Sequence, residues 1–380
     1  MIRGRRASKE GIYPASEPQS RRHKLEPASQ TKKNTEQAVA VIVVNWNGRN
    51  IIESCLRSIL TQSHKPISTI VVDNASTDGS DRFISETFSE VRLIRSASNL
   101  GFGAGNNLAL REVATPYVML LNNDAELPPE TIALLLEAIN RSPEYAAAAP
   151  KIVLESSPDT VDAAGLVICR DGLAIGRGRM ESAQRFDAEE EVFFASGCAA
   201  LFRREFFEDV GYYDESFFCY GEDQDLGWRA RWRGWKCIYV PKALVFHSHS
   251  ATTGSHSPRK AFLVERNRIS VALKNFTLFD LALSFPYTLV RYYWQAVAAF
   301  RGLGRAGAYV KERGRFHLFQ TLFSAWVAAL IELPNVLSAR RKVFSNRKVS
   351  SKEVRKCFRR FCMFLPGFIG HLHIQRYNRP

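Results

Sequence analysis

The chain of 380 residues lacks three features that would assign it quickly to a class. Its seven cysteines form no Cys-x-x-Cys pair and no regular framework, which favours buried thiols in a reducing compartment. No apolar segment follows the basic N-terminus, so a signal peptide is not expected. No C-terminal stretch offers the ~20 uninterrupted apolar residues that a membrane-spanning helix needs. The class must be read from what the chain contains.

Charge is distributed unevenly along the chain. Residues 1–36 carry 9 Lys and Arg against 4 Asp and Glu, and residues 257–380 carry 23 against 5. Residues 37–256, in contrast, have 20 against 29 and are acidic. This pattern does not predict a nucleic-acid groove through the fold; it predicts a catalytic body and a tail attracted to something anionic. The basic N-terminal extension, residues 1–36, lacks periodicity and is predicted to be disordered.

Residues 38–154 show a regular alternation of strand and helix patterns. The first strand is a continuous apolar run, as expected of a parallel strand covered on both faces. The predicted strands are 38–46, 69–73, 91–96, 117–124 and 146–154, and the predicted helices are 51–60, 78–89, 102–113 and 128–141. Alternation of this kind predicts a doubly wound α/β sheet.

Polar side chains follow four of these strands where each strand ends. They are Asn45 to Asn47, Asp73-Asn74, Asn99 to Asn107, and Asn122 to Asp124. A single polar strand end indicates no more than a turn, because Asn and Asp form turns readily. Ligands of such sheets bind beyond the carboxyl ends of the strands, so four polar ends at one edge predict a binding site.

A dinucleotide is one candidate ligand, but the glycine pattern argues against it. The Rossmann fingerprint needs its glycine turn after the first strand, where it places the pyrophosphate at a helix N-terminus. The first turn has only Gly48, and the cluster GFGAGNN follows the third strand instead, with Asn106 at the third fingerprint position. A nicotinamide dinucleotide site is therefore not expected.

Seven blocks of sequence carry a more specific signal: VIVVNWNG, IVVDNASTDGS, NLGFGAGNN, YVMLLNNDAEL, ASGCAALFRRE, FFCYGEDQDLGWRARWRGW and VFHSH. In order and spacing, over about residues 38–275, they resemble the family-2 inverting glycosyltransferases of the GT-A fold, above all the rhamnosyltransferase-like branch that builds bacterial surface polysaccharides. The resemblance implies a doubly wound mixed sheet in residues 37–256, a nucleotide-sugar donor and a divalent cation (Mg²⁺ or Mn²⁺). It also implies direct transfer of one sugar to a hydroxyl of a saccharide or lipid-linked acceptor.

The resemblance implies a donor site at the strand ends. Asp73 takes the position of the carboxylate that binds the base or ribose, and Asn45 resembles a nucleobase contact. Asn99, Gly101 and Asn106 resemble the segment that bends round the ribose and sugar, where small residues let backbone approach a ligand. The stretch DNASTDGS also has the composition of an Asx turn, and the two roles are compatible.

Asn122-Asn123-Asp124 resembles the family's Asp-x-Asp metal signature, although only one carboxylate remains. Asp124 is therefore expected to contact the cation, with Asn123 beside the donor. One carboxylate can serve, because phosphate oxygens and water fill the other positions around a hard cation. His247, which ends the strand-like ALVFH, resembles a histidine that completes the metal site in some family members, and His249 is the alternative.

The run YGEDQDLGWRARWRGW predicts a helix that ends at Arg233 and has three carboxylates at its start. Carboxylates in a first turn also stabilise a helix, so the pattern alone leaves catalysis open. The resemblance implies that Asp223 is the general base, which takes the acceptor's hydroxyl proton as that oxygen attacks the anomeric carbon. Glu222 and Asp225 are expected to orient the acceptor or cap the helix.

Gly197, in ASGCAALF, resembles the strand that lines sugar and acceptor. Residues 155–191 read as an irregular insertion on the acceptor side. Processive polysaccharide synthases resemble the same N-terminal half but use a Gln-x-x-Arg-Trp motif, which has no proper counterpart here. Transfer of a single sugar is therefore expected.

Residues 257–380 combine basic clusters with the broken apolar stretches 276–290 and 316–337. Interfacial amphipathic helices with basic flanks explain this composition, which predicts a peripheral protein on the cytoplasmic face of an anionic membrane. The alternative is an ordinary helical bundle with a basic outer face. A second alternative concerns the whole chain: a GT-A-like module that binds sugars or partners without catalysis, which only the reduced metal motif favours.

Overall fold

The computed structural model describes residues 36–248 and 257–363. In this part of the chain, ten strands form one mixed sheet and two more form a small ribbon. The strands are β1 (Val39–Asn45), β2 (Ile67–Asp73), β3 (Val91–Arg95), β4 (Tyr117–Asn122), β5 (Ala125–Glu126), β6 (Tyr145–Leu154), β7 (Ser157–Ala163), β8 (Leu166–Ile168), β9 (Ala174–Gly176), β10 (Glu190–Val192), β11 (Ala199–Arg203) and β12 (Lys236–His247).

Helices cover the sheet and make up the C-terminal part. They are α1 (Ile52–Leu60), α2 (Ser80–Thr87), α3 (Phe102–Leu110), α4 (Thr131–Ile139), α5 (Arg204–Val210), α6 (Glu222–Arg233), α7 (Pro258–Asn275), α8 (Leu278–Phe300), α9 (Gly304–Arg313), α10 (Arg315–Ile331), α11 (Leu333–Ser345) and α12 (Ser351–Phe361). The five strands predicted before residue 155 are confirmed, as are the helices between them, with ends that shift by a few residues.

The sheet has the order β10-β12-β6-β11-β4-β1-β2-β3, with β5 on β12 and β7 on β6. Strands β3, β2, β1 and β4 are parallel, and β11 joins them antiparallel to β4. In the register, Asn45 lies opposite Asp73 and Val44 lies opposite Asn122. The polar ends of three strands therefore lie level at one edge of the sheet, as their positions after buried apolar runs predicted.

The expectation of an irregular insertion over residues 155–191 is wrong. This segment holds β7, the ribbon of β8 and β9, and the start of β10. Strand β7 is antiparallel to β6, and its alternating pattern is short and polar at the start, which hid it from a reading of periodicity. The hairpin extends the sheet and brings Asp162 to the site described below.

Helix α7 packs on the sheet domain although it follows the predicted boundary at residue 257. Lys274 and Asn275 at its end bind the buried carboxylate of Asp225 in α6, with Nζ–Oδ2 and Nδ2–Oδ1 distances of 3.0 and 2.9 Å. Its Glu265 pairs with Arg291 of α8 at 2.8 Å, and Arg291 also reaches Asp171 beside the small ribbon at 2.5 Å. Polar contacts thus tie α7 and α8 to the sheet domain.

Helices α8 and α10 reverse the usual pattern of burial: small and polar side chains face inward, and large apolar side chains face outward. On α8 the buried residues include Asp280, Ser284, Thr288 and Arg291, and on α10 they are Thr321, Ala325 and Ala329. Their large apolar side chains point outward, and we call these the outward apolar set: Leu278, Phe279, Phe285, Leu289, Tyr293 and Phe300 of α8, and Phe316, Phe319, Phe323, Val327, Leu330 and Ile331 of α10.

Across the described residues, no single helix has the length and apolar character needed to cross a membrane. One pair, α10 and α11, meets both criteria jointly and is bent by 60° at the break between them. The predicted disordered extension, except for Glu36, and His249 lie outside the described residues.

Candidate active site

The edge of the sheet where the donor is expected to bind, called the donor edge below, is a continuous network of side chains from three strand ends. The Asn45 amide donates to Asp73 Oδ1 at 3.1 Å and accepts a bond from Asn123 Nδ2 at 3.0 Å. Asn45 and Asp73 are almost fully buried, so these bonds fix both side chains at the end of the sheet. The structure therefore brings together three residues that the sequence assigned to the donor.

Asp73 also forms the turn that its sequence context predicted. Its Oδ2 accepts the backbone N–H of Ser76 at 3.0 Å, and the Asn45 amide donates to Ser80 Oγ at 2.9 Å. The turn and the strand end thus share the carboxylate. The turn expected at Asp73 is confirmed, and its contact with the donor stays a prediction.

The segment around Asn99 and Gly101 is held by Asn74, a residue to which no role had been given. Its Oδ1 accepts Leu100 N–H at 2.9 Å, and its Nδ2 donates to Gly101 O at 2.9 Å and to Asn99 Oδ1 at 3.2 Å. The sequence signal for the role of Asn74 is that two polar residues, Asp73 and Asn74, follow one strand. Asp73 faces the turn, and Asn74 faces the next loop.

Gly101 is required by a close approach between two loops. Its φ of +83° is in the left-handed region, and a Cβ there would lie 2.1 Å from the carbonyl oxygen of Phe218. That carbonyl accepts the Phe102 N–H at 2.7 Å. The expected need for a small residue is real, but the neighbour shown is the loop before α6. Asn106 bonds Phe102 O inside its own helix at 3.0 Å and is buried, so its side chain stabilises α3.

The expected metal residues Asp124 and His247 are adjacent. Strand β5 pairs with β12 so that His247 lies opposite Ala125, and its Nε2 is 3.2 Å from Asp124 Oδ1. On the other side, Nδ1 is 2.8 Å from Oδ2 of Asp162. A carboxylate that fixes the second ring nitrogen is the usual support of a metal-binding histidine. Asp162 was missed because its strand was not predicted.

The donor atoms fit a divalent cation that is completed by other ligands. One carboxylate and one imidazole suit Mn²⁺ better than a purely oxygen-binding ion. No group of three or more His, Cys, Asp or Glu side chains that could hold a metal occurs in residues 36–248 and 257–363. Burial lowers the pKa of His247, but Cys198 and the hydrogen bonds to Asp124 and Asp162 outweigh it and raise the pKa. A cation at this imidazole would take the place of a proton there.

Asp223 lies at the start of α6 against the strand entry that contains Gly197. Its Oδ2 accepts the Gly197 N–H at 3.1 Å and its Oδ1 accepts the Gln224 N–H at 2.7 Å. Burial raises the pKa of the Asp223 carboxyl, and these N–H groups offset only part of that effect. A Cβ at Gly197 would come within 3.6 Å of Oδ2, so the glycine keeps the space beside the carboxylate open.

Glu222 and Asp225, expected to orient the acceptor or cap the helix, have different surroundings. Glu222 is only 6% exposed, and among the described residues its Oε2 has no hydrogen-bond partner. Burial, with a further contribution from Asp223, raises the pKa of Glu222 to about 8. A buried carboxyl of this kind is protonated at neutral pH.

The expectation that Asp225 contacts the acceptor is wrong. Asp225 is fully buried, and its carboxylate binds Arg229 at 2.8 Å as well as the α7 residues described above. The periodicity of the helix explains this: two residues after Asp223, the chain faces the opposite side of α6. Its role is to attach α7 to α6.

The two parts of the site meet at residues 197 and 198. The Asn122 N–H donates to Cys198 O at 2.8 Å, and the preceding residue, Gly197, binds Asp223. One dipeptide thus lies between the end of β4, where Asp124 follows, and the carboxylate at the start of α6.

Comparison with solved structures defines the class. The structure of GalNAc-T7 with UDP, GalNAc and Mn²⁺ matches with a TM-score of 0.50 and 16% identity, over 62% of this chain and 48% of that chain, about half of its length. At this identity the match shows the fold alone, which is that of the GT-A glycosyltransferases.

Comparison of sequences gives the family. The model described as "Glycosyltransferase like family 2" matches residues 36–269, and the chain belongs to this family of glycosyltransferases. It is 30% identical over 237 residues to N-acetylglucosaminyl-diphospho-decaprenol L-rhamnosyltransferase of Mycobacterium tuberculosis. The aligned region covers 56% of this chain and 77% of the relative. It is 27% identical to the low-salt glycan biosynthesis hexosyltransferase Agl10 of Haloferax volcanii, over 51% of this chain and 61% of the relative.

Proposed function

We propose that this glycosyltransferase transfers one sugar, with inversion, from a nucleoside-diphosphate sugar to a hydroxyl of a saccharide or lipid-linked saccharide. The observation that supports this most directly is the dipeptide 197–198, which connects the Asp223 carboxylate with the end of β4. A base and a donor edge held at such close quarters suit a direct displacement.

In this reaction Asp223 is the general base. The acceptor O–H bond breaks as its proton passes to the Asp223 carboxylate, and the oxygen forms a bond to the anomeric carbon. The bond from that carbon to the donor's diphosphate oxygen breaks on the opposite face, and nucleoside diphosphate leaves. The raised pKa of Asp223 makes its carboxylate a stronger base than an exposed aspartate.

The donor is assigned to the edge formed by Asn45, Asp73 and Asn123. Asp124 and His247 would hold a divalent cation, which supplies charge stabilisation to the leaving diphosphate. Asp162 orients the imidazole through Nδ1. The mixed carboxylate and imidazole set supports Mn²⁺ over Mg²⁺ as the better probe for experiments.

The acceptor is proposed to be attached to a lipid at the cytoplasmic face of a membrane. Two observations support this: the relative named above is a diphospho-decaprenol rhamnosyltransferase, and the outward apolar set of α8 and α10 faces away from the fold. Large exposed apolar patches mark contact with a membrane or a partner. Nearby basic residues would add attraction to anionic lipid, which salt would weaken.

The test of transfer uses the purified full chain with a panel of nucleotide-sugars in Mn²⁺ or EDTA, with and without bacterial lipid extract as the source of acceptor. Release of nucleoside diphosphate that depends on Mn²⁺ and increases with extract is expected, and NMR should show an inverted anomeric configuration in the product. A retained configuration would overturn the mechanism. Donor binding without any turnover would instead identify a sugar-binding module.

The membrane part has a separate test. Flotation with vesicles containing anionic lipid should recover the wild-type chain at low salt and less of it at high salt. The double variant Phe285→Gln and Leu289→Gln, on the outward side of α8, should float poorly at both salt concentrations. Equal flotation of the double variant and wild type would remove the apolar contribution from the proposal.

A further inference from the structure

A cleft of about 610 Å³ lies between the beginning of α7 and the beginning of α10. Four phenylalanines line it, Phe262, Phe316, Phe319 and Phe323, together with polar residues that include His317, Gln320 and Ser324. Arg259 is the single Arg or Lys among the described residues that line it. The cleft is therefore an open, partly apolar groove with one fixed positive charge, a combination that suits an amphiphile with an anionic group.

The rings of this cleft are exposed because of how α10 packs. Thr321, Ala325 and Ala329 face inward, and small residues of this kind let two helices approach closely. The phenylalanines are left outside, and Phe316 is 72% exposed. Burial of such side chains away from water is favourable, so the arrangement favours an apolar occupant.

Arg259 connects the cleft with the active site. Its guanidinium carbon lies 4.6 Å from the centre of the Phe218 ring. Phe218 is the residue whose carbonyl accepts the Phe102 N–H and packs on Gly101, and Asp223 follows five residues later. Only one aromatic ring thus separates the charged residue of the cleft from the loop between donor segment and base.

The loop that carries Phe218 is held rigidly by α7. The Asn267 amide donates to the carbonyl oxygens of Phe217 and Cys219 at 3.0 and 2.9 Å. Phe218 and Tyr220 both have a left-handed φ, which the bonds from Asn267 maintain. The position of the cleft relative to Asp223 is therefore defined by the fold, as a binding site that presents a reactive group requires.

We infer that this cleft binds the first units of the hydrocarbon chain of a lipid-linked acceptor, with the acceptor's diphosphate at Arg259 and its sugar toward Asp223. The inference rests on the proposed function and names the place where the acceptor lipid is recognised. The aromatic rings offer a groove for one hydrocarbon chain, whereas a bilayer surface would cover the rest of the outward apolar set, such as Leu330. The basic residue selects a diphosphate over an uncharged lipid.

The experiment uses farnesyl diphosphate as the probe, titrated calorimetrically into the full-length protein without vesicles, with farnesol and inorganic pyrophosphate as the chain-only and head-only controls. Farnesyl diphosphate should bind at one site per chain, and both controls should bind at least about tenfold more weakly, because each lacks one contribution. Arg259→Gln should weaken binding by about tenfold, the effect of one charge-assisted contact, while the matched Arg341→Gln should not.

A substitution that fills the cleft gives the second arm. Ser324→Trp should reduce binding of farnesyl diphosphate by at least about tenfold, while Leu330→Trp, on the same helix outside the cleft, should leave it unchanged. Thermal unfolding of each variant is measured first, so that only folded proteins are compared. Equal losses in both tryptophan variants, or binding of pyrophosphate as tight as that of farnesyl diphosphate, would overturn the inference.

Two further outcomes identify other occupants. If Ser324→Trp abolishes vesicle flotation while farnesyl diphosphate does not bind, the bilayer occupies the cleft. If it converts a dimer into a monomer in sedimentation, the occupant is a second copy of the chain. A wild-type protein that binds nucleotide-sugar but no farnesyl diphosphate loses the cleft assignment alone, and one that binds farnesyl diphosphate but neither binds nor uses a nucleotide-sugar loses the proposed function.

Discussion

In the sheet domain the side chains of β1 are buried from Val39 to Val43, and polar groups appear only at Asn45, where the strand reaches the site. In α8 the arrangement is reversed: Arg291 is among the buried residues, and Phe285 is 62% exposed. The difference teaches that the two regions follow opposite patterns of burial. The sheet domain buries its apolar side chains, as folding in water requires, whereas α8 and α10 expose theirs.

The largest expected effect tests the sheet domain. Asp223→Asn removes the proposed base but keeps the shape of the side chain. Turnover should fall by roughly 10²–10⁴-fold, the usual contribution of general base catalysis, and donor affinity should change little. The measurements are steady-state release of nucleoside diphosphate and calorimetric donor binding. Turnover at the wild-type level would mean that another group takes the proton.

The next effect tests the buried polar side of α8. Arg291→Met removes the partner of Asp171 and one of the partners of Glu265. Breaking a buried ion pair costs about 3–5 kcal/mol. Burial disfavours the charged Glu265, but Arg291 and Arg268 outweigh burial and hold the pKa of Glu265 at about 2. Chemical denaturation should show the loss. The matched control, Leu289→Gln on the exposed side, should change the unfolding free energy by less than about 0.5 kcal/mol. Similar costs for both variants would contradict the reversed pattern.

A third prediction separates the two expected metal residues. Asp124→Ala should weaken donor binding in Mn²⁺ by about tenfold or more and have no effect in EDTA, because a carboxylate is the stronger ligand of a hard cation. His247→Ala should show a smaller effect of the same kind, since phosphate oxygens remain. Glu126→Ala, two residues beyond Asp124, serves as the control. If the Asp124 variant bound the donor as tightly as wild type in Mn²⁺, Asp124 would have no metal-binding role, and this strand end would be only a turn.

A fourth prediction concerns the pH dependence of stability. In the folded protein the pKa of Glu222 is about 8, above the ordinary 4.5, so the folded state holds a proton that the unfolded chain has released. Its contribution to stability is therefore complete below pH 4.5 and is lost as the pH rises through about 8. Glu222→Gln should flatten the fall in unfolding free energy between these pH values. An unchanged slope would mean that Glu222 is ionised in the folded protein.

Much of the donor edge could be predicted because parallel strands place their carboxyl ends at one edge. Asn45, Asp73 and Asn123 meet there as the order of strands required. Asp162 could not be found, since the pairing of β7 with β6 depends on a hairpin whose bulged register leaves no clear period in the sequence. Asp225 misled because three carboxylates in one turn look alike in sequence, while only the helix face decides which is buried.

The reversed helices could be predicted only in part. Apolar stretches and basic clusters indicated an interface, but sequence alone does not tell whether Arg291 faces inward or outward. Its direction is decided by Glu265 and Asp171, which are 26 and 120 residues away along the chain. The burial of the polar side shows how α8 packs, and the choice between an interfacial bundle and an ordinary one stays a prediction.

The hydrogen bond from Phe102 N–H to Phe218 O joins two segments that are 116 residues apart in the chain. One segment lies where the ribose and sugar of the donor are proposed to bind, and the other leads directly to Asp223. Because Asn267 of α7 also holds the second segment, the bond transmits that rigidity to the first. The proposed donor segment and the proposed base thus keep one relative position, set by a helix that belongs to neither.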